Sequence, residues 1–213
     1  MVILDNQLLK FMKRISEILS ALFTPLLVPT YGMIFASFLS VLAVLPLTVL
    51  LTTISITFIL TCILPLIGIM VLYRTGYVKS PTLRERTERF VPFGIAFMCY
   101  LGCAFFLYRA SAPLWLTMFY IGGAAAIVIS AVVSIWWKIS AHAAAVGGLV
   151  AMTFRLAASH QAIYDMNVWI SALVVIAGMV MTARVYLGRH TLMQVLAGCA
   201  NGFLCVWLMT MIR

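Results

Sequence analysis

Two histidines and several cations in short polar stretches are the residues of this sequence best suited to chemistry. Arg184 and His190 flank a turn that contains Gly188, and the pattern after Thr191 predicts a helix that begins just behind the histidine. Unpaired backbone N–H groups and the positive end of the helix dipole meet at such a helix N-terminus, so the place favours anions. A phosphate group would suit it.

A purely structural interpretation of this stretch is also available. Thr191 followed by Gln194 is a capping-box pattern, and an Arg or His at the end of a membrane helix is often an interfacial anchor. A second polar stretch, however, brings Lys138, Ser140 and His142 together within five residues. The sequence therefore offers a second imidazole, and the chemical interpretation gains weight.

The most polar part of the chain is the segment 79–92. It contributes Lys79, Arg86 and Arg89 as candidate anion ligands, interspersed with glutamates. The alternative is a solvated loop with local Glu–Arg pairs, which is the usual role of a charged run.

Composition predicts an integral membrane protein. Of the 213 residues, 65% are hydrophobic and only 9% are charged, against roughly 25% charged in an ordinary soluble domain. The mean hydropathy is +1.15. The apolar runs have the length of membrane helices and lack the alternation of a membrane β-barrel. The net charge of +9 favours anionic lipid head groups or phosphate esters as partners, and not nucleic acid.

The apolar pattern predicts an all-α membrane bundle. We expect an N-terminal interfacial segment over residues 1–18, followed by one polytopic domain over residues 19–213. The first apolar run is too long for a signal peptide, so we expect it to stay in the mature protein. We predict about seven transmembrane helices (six to seven), at about 19–45, 48–73, 91–108, 114–135, 143–160, 168–183 and 191–211.

Seven spans would bring the polar stretches together. The connections after the second, fourth and sixth spans emerge on the same side as the amino terminus, and that side holds both His142 and His190. It also holds eleven of the fourteen basic residues, namely Lys10, Lys13, Arg14, Arg74, Lys79, Arg84, Arg86, Arg89, Lys138, Arg184 and Arg189. We therefore predict a cationic site with two histidines.

Such a site is suited to phosphoryl transfer. The sequence has no Gly-rich phosphate loop, no zinc-type histidine pair and no carboxylates paired for acid–base work, so we expect neither a metal nor another cofactor. One histidine could attack phosphorus while the other protonates the leaving oxygen. Arginine and lysine would neutralise the oxygens of the transition state.

The motifs resemble those of the membrane type 2 phosphatidic acid phosphatases and their haloperoxidase relatives. That family shows Lys-x6-Arg-Pro, then Pro-Ser-Gly-His, then Ser-Arg-x5-His-x3-Asp. The resemblance spans roughly residues 79–200, the expected phosphatase-like core. It rests on a Lys/Arg stretch ending in Pro92, on Ser140-Ala-His142, and on Arg184-x5-His190-x3-Gln194.

This resemblance implies roles for individual residues. His190 would be the nucleophile that forms a phosphohistidine, and His142 the acid that protonates the leaving group. Arg184 would bind phosphate, and Ser140 would donate a further hydrogen bond to it. Gln194 stands where the family has an aspartate that orients the nucleophile, and an amide can orient the ring without supplying negative charge.

The remaining cations are assigned less uniquely. Lys79 and Arg86 keep the spacing of the family's first motif, whereas Arg89 lies closer to Pro92 and is a rival for the arginine role. Lys138 is a further candidate for the phosphate cradle, with interfacial snorkelling as the alternative.

The function expected from the resemblance is a metal-independent lipid phosphatase in a bacterial-type inner (plasma) membrane. Its substrate would be a phosphatidate-type or lipid A-type phosphate, or an isoprenoid diphosphate. The alternatives are a catalytically weak member that binds or transports an anionic lipid and, less favoured, a proton-coupled transporter. The positive-inside rule places the cationic side in the cytoplasm, whereas bacterial relatives imply the periplasmic face.

Overall fold

The computed structural model describes residues 2–80 and 87–212, with side chains from Gln7 to Ser80 and from Glu88 to Ile212. The described residues form an all-α structure. Its helices are α1 (Val2–Leu22), α2 (Val28–Leu39), α3 (Leu47–Phe58), α4 (Leu64–Arg74), α5 (Phe90–Arg109), α6 (Leu114–Val133), α7 (Ala141–Ala158), α8 (Asn167–Tyr186) and α9 (Leu192–Thr210).

Among the residues that the structure describes, six helical segments are long and apolar enough to cross a membrane. One is the continuous segment Leu47–Arg74, in which the short π-helix Ile59–Ile63 joins α3 to α4. The other five are α5 to α9. The predicted helical membrane bundle is thus confirmed, and the chain is a multi-pass membrane protein.

The predicted first span over 19–45 differs from the structure. It is divided into the end of α1, a non-helical connection that contains Pro25, and the twelve-residue α2. At 1.5 Å per residue α2 is about 18 Å long, well short of the roughly 30 Å hydrocarbon core. Pro25 and Pro29 cannot donate backbone hydrogen bonds, and Ser40 leaves the helix in an extended conformation. The span that we predicted as one helix is therefore interrupted completely.

Helix α7 is the central helix of the bundle. In its most apolar window 61% of the residues are buried, compared with 22% for both α8 and α9. It packs closely on α9 through glycines. A Cβ added to Gly198 would lie 2.5 Å from the carbonyl oxygen of Ser140, and one added to Gly202 would overlap the carbonyl of Ala144. This approach of small residues is typical of helix pairs in membranes.

The two ends of the bundle are distinct. At one end Ser40 forms an isolated β-bridge with Ala162, beyond the carboxyl end of α7. The amino ends of α7 and α9 lie at the other end, where the backbone N–H of Ser140 donates to the carbonyl of Gln194 (3.3 Å). We call this second end the site end, because the predicted functional residues converge there.

Candidate active site

The turn between α8 and α9 places His190 at the amino end of α9. Gly188 adopts a left-handed conformation (φ +63°), which glycine reaches without a Cβ clash. The backbone N–H groups of Arg189 and His190 both donate to the carbonyl of Arg184, at 3.1 and 3.4 Å. His190 is 7% exposed, so the turn holds an almost buried imidazole beside the first turn of a helix.

Gln194 contacts both the histidine and the helix cap. Its Oε1 accepts hydrogen bonds from Nδ1 of His190 and from the backbone N–H of Thr191, each at 3.2 Å. Its own backbone N–H donates to Oγ1 of Thr191 (3.4 Å), which completes a capping box. An amide oxygen can only accept, so Nδ1 carries the proton and Nε2 of His190 has the free lone pair.

His190 is held in its neutral form. The pKa of His190 is lowered to about 3, and burial is the largest cause. The positive charges of Arg184, Arg89 and Lys138 contribute to this lowering, whereas the hydrogen bond to Gln194 opposes it. The imidazole is consequently uncharged at neutral pH, as a nucleophile requires.

His142 lies in the first turn of α7. Its Nε2 is 3.1 Å from the backbone carbonyl of Ser20, near the end of α1, and a carbonyl can only accept. The proton is therefore on Nε2. Ser140, the preceding candidate, is fully buried and caps α7 by accepting from the N–H of Ala143 (3.4 Å).

Both histidines line one cavity of about 640 Å³. Its cationic end is lined by His142, His190, Arg89, Lys138, Arg184 and Arg189. Ser140 and Gln194 do not line the cavity, and they support its wall through the contacts given above. The structure thus brings both histidines and three predicted cations to one space.

Two of these arginines are held differently. Arg89 is 8% exposed and donates from Nη1 to the carbonyl of Ile139 (3.2 Å), and its burial lowers its pKa. The Nε of Arg184 is buried and has no hydrogen-bond partner within the described parts of the chain. Leaving a buried guanidinium N–H unpaired costs free energy. An anion in the cavity could accept a hydrogen bond from this donor of Arg184.

The candidates for the first motif of the family differ in their relation to the cavity. Lys79 is exposed and does not line the cavity, and its backbone N–H donates to Oε1 of Glu88 (3.1 Å). Arg86 lies outside the described residues. Arg89, the rival candidate for the arginine role, lines the cavity.

The sequence patterns did not single out several polar residues that line the cavity, among them Ser20, Ser130 and Arg189, the last of which was predicted only as one of the eleven cations on that side. Arg189 directly precedes His190, so its position in the turn was an available signal. No sequence signal pointed to Ser20, because it contacts His142 across 122 residues of sequence.

The rest of the cavity is mostly apolar and extends into the bundle. Its lining includes Val28, Phe93, Ala96, Tyr100, Phe119 and Val206. Along α5 the lining runs from Arg89 to Tyr100, a rise of about 16 Å at 1.5 Å per residue. This depth is close to one leaflet of the hydrocarbon core, about 15 Å. No group of three His, Cys, Asp or Glu side chains within residues 2–80 and 87–212 could hold a metal.

Fold and cavity together define a multi-pass membrane protein with a cationic, two-histidine pocket above an apolar cavity. Residues 133–213 match the family model described as the PAP2 superfamily, which supports membership of that family and confirms the resemblance over the stretches that hold His142 and His190. The matched region contains Lys138, His142, Arg184, His190 and Gln194. It suggests phosphatase activity on phosphate esters. No curated protein and no solved structure matches the chain.

Proposed function

We propose that this protein is a lipid phosphatase of a bacterial-type plasma membrane that works through a phosphohistidine intermediate. The observation that carries the proposal is the neutral His190, whose free Nε2 belongs to a cation-lined cavity that continues into an apolar space. The cationic end suits a phosphate, and the apolar end suits a hydrocarbon chain.

The first half of the reaction transfers the phosphoryl group to the enzyme. Nε2 of His190 attacks phosphorus, a P–N bond forms, and the bond between phosphorus and the lipid oxygen breaks. His142 acts here as the imidazolium: the Ser20 carbonyl holds its Nε2–H, and its Nδ1 proton goes to the leaving oxygen, which leaves a neutral ring. Arg89, Arg184 and Arg189 offset the negative charge of the transferring group.

The second half releases inorganic phosphate. A water molecule gives a proton to His142 and attacks phosphorus, and the P–N bond breaks to restore neutral His190. Every group in this cycle belongs to the chain or to water. We therefore expect phosphate release to continue when a chelator removes free metal ions.

The test is phosphate release from long-chain lipid phosphates by purified protein in detergent with a chelator present. His190→Ala should reduce turnover to background, and His142→Ala should reduce it by about 10²- to 10⁴-fold, the usual contribution of a general acid. Vanadate, which can mimic five-coordinate phosphorus, should inhibit the unmodified protein. His160→Ala is the matched control, because His160 lies beyond α7 and outside the cavity lining.

The same assay tests the alternative of a lipid-binding or lipid-transporting protein. Gln194 favours that alternative, since an amide lacks the charge of the aspartate in related phosphatases. Binding of a lipid phosphate without release of phosphate would support it. Near-normal turnover in either His190→Ala or His142→Ala would contradict the two-histidine mechanism.

A further inference from the structure

Two serines line the cavity, and a contact with His142 or the order of lining residues along the chain places each near its cationic end. Both Ser20 and Ser130 line the cavity. Ser20 precedes the connection that leads to the apolar lining residue Val28. Ser130 follows the apolar lining residues Phe119 and Ile127 along α6, and the next lining residue along the chain is Lys138.

Ser20 has an unpaired hydroxyl. The residue is 9% exposed, and its buried Oγ has no hydrogen-bond partner among the residues that the structure describes. Its backbone carbonyl meanwhile holds Nε2 of His142. Leaving a buried hydroxyl unpaired costs free energy, so this group calls for a partner.

Ser130 is oriented by a neighbouring helix. It is 3% exposed, and its Oγ accepts a hydrogen bond from Nδ2 of Asn201 at 3.0 Å. The same amide also donates to the carbonyl of Ala126 (2.9 Å). In the described parts of the chain no acceptor takes the hydroxyl proton of Ser130, which therefore remains available as a donor.

We propose that Ser20 and Ser130 form a hydroxyl collar that recognises the oxygen-bearing linker between phosphate and hydrocarbon in a lipid phosphate. This inference rests on the proposed function and specifies its substrate class. With phosphorus beside His190 and the hydrocarbon at the apolar end, the collar meets the atoms between them. A glycerol or sugar linker supplies ester or hydroxyl oxygens there.

An isoprenoid phosphate supplies none, because its phosphate is attached directly to a hydrocarbon. Binding it would leave the hydroxyl of Ser20 without a partner and the hydroxyl proton of Ser130 without an acceptor. A site built to hydrogen-bond its ligand discriminates strongly against an analogue that lacks the partner atom. The collar thus selects glycerol- or sugar-linked lipid phosphates over isoprenoid monophosphates.

The test uses two substrates with the same chain length, lauroylglycerol phosphate and dodecyl phosphate, which differ in the linker. The unmodified protein should prefer lauroylglycerol phosphate by about tenfold or more in kcat/KM. Ser20→Ala and Ser130→Ala should each reduce this preference by about fivefold, the value of a typical hydrogen bond. Ser20→Thr, which keeps a hydroxyl, should retain most of it.

Ser16→Ala and Ser134→Ala are matched controls that should keep the preference. Both serines are buried, each on or beside the helix of a collar serine, and neither lines the cavity. Equal use of the two substrates by the unmodified protein, or equal losses on both substrates in Ser20→Ala and Ser130→Ala, would overturn the collar.

Failure of the proposed function has a different signature. If the unmodified protein hydrolyses neither substrate, the phosphatase proposal fails. Equilibrium binding of the same two lipids then decides the collar. A preference for lauroylglycerol phosphate that Ser20→Ala and Ser130→Ala reduce supports it, and equal binding of both lipids overturns it.

Discussion

The side-chain oxygen of Gln194 accepts two hydrogen bonds. The capping interpretation and the orienting interpretation of this residue are both visible, since its Oε1 accepts from the backbone of Thr191 and from the ring of His190. The first contact stabilises the beginning of α9. The second fixes the tautomer that leaves Nε2 of His190 unprotonated.

Substitutions of Gln194 should separate these two contributions. Gln194→Asp should raise turnover, up to about tenfold, because a carboxylate would also stabilise the positive charge that develops on the ring. In the serine-protease template, loss of the analogous Asp lowers turnover by about 10⁴. Gln194→Ala should lower turnover about 100-fold and stability by about 1 kcal/mol. Phosphate release and thermal unfolding in one detergent measure both.

Thr191→Ala is the control for this pair. It removes the capping hydroxyl and keeps the contact between Gln194 and His190, so it should lose stability and keep specific activity. If Gln194→Ala behaves like Thr191→Ala, Gln194 is only a cap.

The packing of α7 on α9 sets the relative position of the two histidines at the level of elements. His142 is the second residue of α7, and His190 lies two residues before the first residue of α9. Between them the glycine contacts allow backbone to touch backbone. Any side chain at Gly202 must push α7 away, and the separation of the histidines then changes.

Gly202→Val should therefore reduce both stability and turnover. We expect a loss of about 1–3 kcal/mol or more from overpacking, together with a loss of phosphate release at temperatures where the variant is still folded. Gly178→Ala in α8 is the control, because an added Cβ meets nothing within 4 Å. Unchanged thermal unfolding of Gly202→Val would show that the helices can separate without cost.

At the scale of the whole molecule, the site end should lie on one face of the membrane. Lys138 and Gly188 line the same cavity, whereas Ser111 follows α5 and the N–H of Ile163 donates to the carbonyl of Leu39 at the other end. Successive spans cross the membrane in opposite directions, so the polar connections, which are two spans apart, lie on the same side.

Cysteine-accessibility labelling on a cysteine-free background measures this arrangement. Cysteines replacing Ser80, Trp137 and Gly188 should react from one face, and those replacing Ser111 and Ile163 from the other. Detergent-solubilised protein, in which all five should react, is the control. Labelling of position 80 from the face opposite to position 188 would contradict a converged site.

The sequence by itself determined the helical membrane class and the pair of motif histidines. Both depend on local information, namely the length of apolar runs and the spacing of residues within one turn of a helix. The capping box of Thr191 and Gln194 belongs to this group. The division of the first span was less accessible, because proline weakens a helix without specifying whether it bends or ends.

Only the tertiary structure decided which distant groups complete the cavity. Ser20 meets His142 across 122 residues, Arg89 reaches Ile139 across 50, and Asn201 orients Ser130 across 71. No local pattern encodes such contacts, since they depend on the close packing of small residues between helices. The same packing buries His190 among cations and thereby keeps its ring neutral.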